Sequence, residues 1–383
     1  MSKTSPTHLF TPIELGAVTL KHRVVMPALS RLRAHWPNAV PSDLMLEYYA
    51  QRASDGGLII TESTAIAPEA RAYHAAPGIW SDEQVAAWKR ITDAVHAKGG
   101  FMFVQLGHAG RATSEALSGV QPVSASVDPD FLGNPNVVVT TPEGLVPPSA
   151  HRALEADEIP QIIEQYKTAA HNALRAGFDG VEIFSAQGHL VEQFLQNGSN
   201  KRTDRYGGSL ENRARFLLEI VDATASVVGR DRVGVRISPS STFNGMGDSD
   251  PQALFSHVAQ QLDHVGIAYL HIIEPRISGA DTVAEGQDAI AAKDLGRVFH
   301  GTIIAAGGFT PQTAEEAVAE GLANLVAFGR HFTSNPDLPF RIEHDLPLTP
   351  YDRNTFYGGG AQGYVDFPAF HHEPTPEAIS QAA

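Results

Sequence analysis

Residues 181–190 read VEIFSAQGHL, an apolar strand-like run that ends in a turn of small residues carrying three chemically distinct side chains: Phe184, Gln187 and His189. An amide offers N–H donors to a carbonyl or nitro oxygen. An imidazole with its ordinary pKa of about 6.5 can give or take a proton near neutral pH. A phenyl ring can stack on a flat ligand. These groups act together only if the fold gathers other polar residues around the same strand end.

The rest of the chain supplies such endings at regular intervals. Short β-rich runs occur at 23–29 (RVVMPAL), 58–62 (LIITE), 101–106 (FMFVQL), 180–184 (GVEIF), 233–238 (VGVRIS), 268–273 (AYLHII), 302–306 (TIIAA) and 324–328 (NLVAF). Helical patterns lie between them at 42–54, 81–98, 157–175, 209–228, 251–264 and 311–320, several opened by a Ser, Asp or Thr and closed by a Gly such as Gly99, Gly177 or Gly266. Strands alternating with helices imply a parallel sheet, and eight of them predict an α/β chain folded as a (β/α)8 TIM barrel. No G-x-G-x-x-G follows the first strand, which argues against a dinucleotide-binding fold.

In such a barrel the active site forms where the strands end. Here those ends carry Ser30, Glu62 with Ser63, Gln105 with His108, Gln187 with His189, Arg236, Gly307 with Gly308, and Gly329 with Arg330. Glycines and an arginine after strands seven and eight suit a phosphate group, because backbone N–H groups can approach it and the guanidinium adds charge. That arrangement alone would serve an aldolase, an isomerase or a flavoprotein. Among the other histidines, His108 is expected to be structural, His74 to rim the pocket beside Tyr73, and His271 to be a barrel-interior or packing residue inside strand six.

Two stretches depart from the repeat. Residues 6–20 read as a short N-terminal hairpin that closes the barrel floor. Residues 111–152, rich in Pro, Ser, Thr and Asn, are too long for an ordinary loop and are expected to form a lid over the site. The Gly- and aromatic-rich segment 355–370 is expected to be a second cover, and 371–383 a flexible tail. The chain, 1–383, is then a single domain.

Composition narrows the function. The chain is 43% hydrophobic and 19% charged, as in soluble globular proteins, and has no apolar run of the roughly 20 residues that a membrane span needs. A cytoplasmic location is expected. The absence of cysteine excludes disulfides and thiolate chemistry, and the 17 histidines show no metal-binding spacing, so no metal site is expected. A formal charge of −15 argues against nucleic acid or an anionic membrane as a partner.

Several stretches resemble the Old Yellow Enzyme family of FMN-dependent NAD(P)H oxidoreductases: LFTPIELGAVTLKHRVVMPALSRLRA at 9–34, YYAQRAS at 48–54, FVQLGHAGR at 103–111, QFLQNGSNKRTDRYGGSLENRARF at 193–216, VRISPSSTF at 235–243, AFGR at 327–330 and FYGGGAQGY at 356–364. The resemblance covers nearly the whole chain, and SNKRTDRYGGSLENRARF is among the family's most specific marks. It implies FMN as cofactor and NADPH or NADH as electron donor. Ser30 stands where the family usually places a Thr or Cys near the flavin O4. Gln105 matches the residue that pairs with the pyrimidine edge, and Arg236 the arginine beside N1 and O2. Arg330, with the backbone around Gly307, Gly308 and Gly329, matches the phosphate clamp. Ala28, Leu29 and Ser63 are implied to lie against the ring, and Tyr73 and Tyr357 to line the substrate cavity above it.

The opening stretch departs from this pattern. Family members usually present a His, then His or Asn three residues on, then Tyr, where this chain has Phe184, Gln187 and His189. Phe184 removes one hydrogen-bond donor to the substrate oxygen, a loss worth ~3–4 kcal/mol in the transition state. Gln187 keeps a donor on a longer side chain, and His189 replaces a phenol with an imidazole expected to work as acid or base. The leading expectation is an ene-reductase that passes hydride from NAD(P)H to an activated alkene, a quinone or a nitro compound. The alternatives are a flavin-dependent desaturase or isomerase of a cyclic ketone with His189 as base, and a flavin-binding protein of low turnover. A phosphate-binding lyase without flavin has little support, since no Lys stands at a strand end beside Glu62. A monomer and a homodimer both remain open.

Overall fold

The computed structural model describes residues 7–370, apart from 136, 285, 287 and 288; the tail expected at 371–383 lies outside the described residues. The eight runs nominated from sequence form eight parallel strands: Val24–Met26, Leu58–Ile60, Phe101–Gly107, Gly180–Ser185, Val233–Ile237, Tyr269–Ile273, Thr302–Ala306 and Leu325–Ala327. Each pairs with the next. Strand eight returns to strand one through Val326 opposite Val24, and strand three meets strand four through Phe103 opposite Gly180, so the sheet closes on itself. The strands are apolar runs because both of their faces are covered, by helices outside and by packed side chains within.

The helices start where the sequence offers caps. Ser81 and Gln84 form a reciprocal capping box ahead of Asp82–His96, and Ser209 accepts from Asn212 N ahead of Leu210–Val228. Gly266, at φ 76°, ends Pro251–Val265 in the left-handed conformation that a side chain would disfavour.

The barrel interior is layered. At its floor the hairpin Ile13–Leu15 and Val18–Leu20 contributes Leu15, Val18 and Leu20 to a buried cluster with Val25, Leu58, Phe103, Tyr269, Ile304 and Leu325. Above this plug lies a polar layer built on Glu182, Gln105, His271 and Arg236. His271 is a barrel-interior residue, as its place inside a strand suggested, and it has a partner there: its Nδ1 lies 2.8 Å from Glu182 Oε2, with both side chains fully buried. A burial pattern read along one strand cannot show that two neighbouring strands carry a charge partner at the same height.

Residues 111–152 fold into the short helices Glu115–Ser118 and Pro129–Leu132 and an antiparallel hairpin, Val139–Thr141 with Gly144–Val146. Their base is stitched by Val123–Ser124 pairing with Arg152–Ala153. The segment SNKRTDRYGGSLENRARF supports that base rather than the cavity. Arg202 donates to Ala125 O at 3.0 Å and to Leu154 O at 2.5 Å, and Lys201 N donates to Ser126 Oγ at 2.8 Å. Asn200 ties its own loop through Phe194 O and Tyr206 O, and buried Arg213 pairs with Asp248 at 2.5 Å. Arg202→Ala leaves two carbonyl acceptors without their donor, each worth roughly 1–3 kcal/mol when buried. Amides of 123–126 and 152–154 should then exchange with solvent faster while the barrel strands keep their protection. Hydrogen exchange followed by mass spectrometry checks this, and unchanged protection at the base would refute the strut.

Candidate active site

A cavity of about 620 Å³ opens at the C-terminal ends of the strands. The structure brings most of the sequence-nominated residues to its lining, namely Ala28, Leu29, Ser30, Ser63, Tyr73, Gln105, Phe184, Gln187, His189, Arg236, Gly307, Gly308, Gly329, Arg330 and Tyr357, whereas Glu62 and His74, which was expected at the rim, do not line it. Nor does His108; its Nδ1 accepts from Gly110 N at 3.0 Å, a structural use. Sequence reasoning did not nominate Val138, Thr140 and Leu145 from the 111–152 hairpin, nor Phe243, Ile277, Phe309 and Tyr351. Phe243 sits inside the segment VRISPSSTF, but only the folded loop sets its ring against Gly279.

The cavity is graded from polar to apolar to cationic. At one end Gln105 Nε2 donates to Glu182 Oε1 at 2.7 Å, and Arg236 Nη1 donates to Ala28 O at 3.1 Å. Buried Arg236 Nε finds no partner among the described residues. In the middle Ala28, Leu29, Ala306 and Ala327 present small apolar surfaces. At the far end Gly307 (φ 134°) and Gly308 (φ 66°) leave the backbone bare. A Cβ at Gly307 would lie 2.6 Å from Ile277 Cγ1, and one at Gly329 would lie 3.1 Å from Leu29 Cδ2. Arg330 spends two N–H bonds on Thr282 Oγ1 and Ala280 O, both at 2.8 Å, so it also anchors the hairpin Ile277–Ser278 and Asp281–Thr282. A guanidinium carries five N–H groups, so it can still meet an anion.

This order matches FMN: a hydrogen-bonding pyrimidine, a flat ring and a phosphate. The loop after strand one is held by Glu62, whose Oε2 accepts from Arg31 N and Leu32 N at 3.0 Å each. Burial pushes the Glu62 carboxyl up, against those two hydrogen bonds and the charges of Arg31 and Arg33. Among the described residues, no group of side chains could hold a metal ion, and no helix is long and apolar enough to cross a membrane.

The turn after strand four is the most constrained part of the site. Gln187 has φ 55°, a left-handed conformation that costs a non-glycine residue roughly 1–2 kcal/mol and that Asn tolerates better. Three contacts impose it: Gln187 N donates to Ser238 Oγ at 2.9 Å, Asn244 Nδ2 donates to Gln187 O at 2.9 Å, and Gly279 N donates to Gln187 Oε1 at 3.0 Å. With Oε1 engaged, the Nε2 amide is left without a partner among the described residues. Phe184 is the cross-strand neighbour of Arg236 and packs on His189 with ring centroids 4.4 Å apart.

His189 departs from the expectation of an ordinary imidazole. Burial, reinforced by neighbouring His108, lowers its pKa to about 3, and Nδ1 has no partner among the described residues. It is neutral throughout the physiological range and cannot serve as a cationic acid there.

Glu192 lies directly behind this turn. Its carboxyl accepts from Gly188 N at 2.6 Å, Ser238 Oγ at 2.7 Å and Gln196 Nε2 at 3.0 Å. Burial nevertheless pushes it up to about 8 from an ordinary 4.5. A carboxyl whose folded pKa is raised binds its proton more tightly in the native state, so its contribution is complete below the unfolded value and is lost as pH climbs toward the folded one. Stability should fall by on the order of 4 kcal/mol between about pH 5 and about pH 8.5. Glu192→Gln should remove most of that slope in denaturant unfolding; equal slopes in the two proteins would show that Glu192 does not titrate in this window.

Comparison with known proteins agrees with this geometry. Residues 8–349 match the NADH:flavin oxidoreductase / NADH oxidase family. The chain is 46% identical over 369 residues to 12-oxophytodienoate reductase 1 of Oryza sativa subsp. japonica, covering 94% of this chain and 92% of that protein. It is 43% identical over 367 residues to 12-oxophytodienoate reductase 2 of Arabidopsis thaliana, covering 94% and 95%. Morphinone reductase in complex with tetrahydroNAD superposes with a TM-score of 0.87 at 45% identity, covering 95% of this chain and 98% of that one. The Old Yellow Enzyme homologue from Zymomonas mobilis does so at 0.88 and 40%, covering 94% and 99%. The chain belongs to the NADH:flavin oxidoreductase / NADH oxidase family and is an FMN-dependent NAD(P)H oxidoreductase of the Old Yellow Enzyme type.

Proposed function

We propose that this enzyme is an ene-reductase that also accepts quinones and nitro compounds, and that it holds the acceptor oxygen through Gln187 alone. FMN, when bound, supplies a two-electron carrier that takes hydride from NAD(P)H and passes it to an acceptor in the same cavity. Gln105, Arg236, Ser30, Ser63, Ala28 and Leu29 bind and orient the ring, and Arg330 with the Gly307, Gly308 and Gly329 backbone holds the phosphate. The electron donor is NADPH or NADH, and we read the protein as a cytoplasmic enzyme.

The observation that carries this reading is the orphaned Gln187 Nε2. A buried N–H without a partner is unfavourable, and an acceptor oxygen would satisfy it. Gly279 N holds the other side of the amide and so fixes which end is offered. Phe184 gives the acceptor a flat face, and Tyr73 and Tyr357 bound the cavity from above. The 111–152 segment acts as a lid through Val138, Thr140 and Leu145. Neutral His189 offers at most an N–H, so the proton that completes alkene reduction comes from solvent. A base with a pKa of about 3 is also too weak to draw a proton from beside a ketone at neutral pH, which counts against desaturation or isomerisation.

Gln187→Ala should lower kcat for 2-cyclohexen-1-one by roughly 100-fold, the cost of one lost oxyanion donor. Gln187→Glu, which keeps an acceptor for Gly279 N but loses the donor, should do the same with FMN still bound. Activity retained in both would remove Gln187 from the role. Between about pH 5.5 and about pH 8, kcat/KM should show no inflection that His189→Phe abolishes; such an inflection would restore His189 as an acid or base.

A further inference from the structure

Glu182, the second residue of VEIFSAQGHL, carries a charge into the barrel interior yet does not line the cavity. It is fully buried, and a lone carboxylate there would be strongly unfavourable. Two strands compensate it. Strand three brings Gln105, whose Nε2 donates to Oε1 at 2.7 Å, and strand six brings His271, whose Nδ1 lies 2.8 Å from Oε2. A carboxylate can only accept, so His271 carries a proton on Nδ1, while its Nε2 has no partner among the described residues. Arg236, opposite His271 in the sheet register, adds its positive charge from strand five. Burial works to raise the Glu182 carboxyl, yet His271, Arg236 and the Gln105 amide together hold it below the usual carboxylate range. Burial pushes His271 down, with Arg236 adding to the effect and the Glu182 carboxylate opposing it.

Two consequences reach the cavity. One amide N–H of Gln105 is committed to Glu182, which fixes the oxygen and the second N–H as the groups left for a ligand. The Arg236 and Glu182 charges also offset each other, so the base of the cavity is less cationic than Arg236 alone would make it.

We propose that Glu182 and His271 form a positioning pair for the flavin, orienting the Gln105 amide against its pyrimidine edge and offsetting Arg236, so that the pair sets how readily the bound flavin accepts electrons. The pair touches neither flavin nor substrate and acts through Gln105 and Arg236. The proposal rests on the FMN assignment of the cavity.

The test is the flavin's midpoint potential, read by absorbance during anaerobic reduction against reference dyes, on purified FMN-loaded protein. In Glu182→Gln, a near isostere, the ratio of reduced to oxidised flavin at a fixed solution potential should rise about tenfold, a shift of about 30 mV for a two-electron couple. FMN affinity, measured by fluorescence titration of the stripped protein, should fall several-fold as Gln105 loses its anchor. His271→Leu should move the potential in the same direction, because the buried carboxyl, without its leading compensating partner, is driven to take up a proton and lose its charge, and His271→Asn, which restores an N–H, should bring it back. A Glu182→Gln protein that holds FMN at the wild-type potential overturns the proposal. Should that variant not fold, equal potentials in wild type, His271→Leu and His271→Asn overturn it instead. Wild-type protein that binds no FMN would overturn the cofactor assignment itself, a failure visible before any variant is made.

Discussion

A closed parallel barrel encloses a volume that side chains must fill, and in this protein everything at the site depends on how that filling changes with height. The N-terminal hairpin seals the bottom with Leu15, Val18 and Leu20 against Val25, Phe103 and Leu325. One layer higher the interior turns polar, because strand four places Glu182 where strands three, five and six can surround it. The dry plug beneath and the walls around exclude water from that layer, so its hydrogen bonds are strong and its unpaired groups costly. The layer thereby gives Gln105 and Arg236 fixed orientations at the base of the cavity.

The turn after strand four shows how residue type and backbone conformation interact. The position of Gln187 is left-handed because Ser238, Asn244 and Gly279 together determine it, not because glutamine prefers it. The strain is tolerated since the surroundings over-determine the backbone. A longer amide placed there reaches the Ile277–Thr282 hairpin with its oxygen and leaves its nitrogen unused. Phe184 and His189 then pack on each other instead of each presenting a donor. The site thus keeps the family's architecture while its chemical balance shifts from paired donors and an acidic phenol to a single amide, a flat ring and a neutral imidazole.

Two peripheral elements are tied to the barrel by arginines used as struts. Arg202 reaches two backbone carbonyls at the base of residues 111–152, and Arg330 reaches the 277–282 hairpin from strand eight. Arginine suits this work because its planar fork can bond several acceptors at once while remaining charged. Arg330 both lines the cavity and holds the 277–282 hairpin, so it joins two parts of the chain that are far apart in sequence.

Much of this was legible in the sequence. The eight apolar runs and their intervening periodic segments were enough for the barrel, since strand and helix periods are local properties of side-chain order. The same pattern placed Gln105, Arg236 and the glycines at strand ends, and family resemblance then implied their roles. The sequence also announced the unusual triad, because Phe184, Gln187 and His189 differ from the expected types by identity alone. It could not reveal that His189 would be neutral, that His271 would pair with Glu182, or that one end of the Gln187 amide would be held by Gly279. Those outcomes depend on burial and on partners dozens of residues away, and both arise only when the strands close and bring distant side chains to the same height. Chain order determined which groups are present at the barrel mouth; tertiary packing decided their protonation, their orientation and which of their hydrogen bonds remain for a ligand.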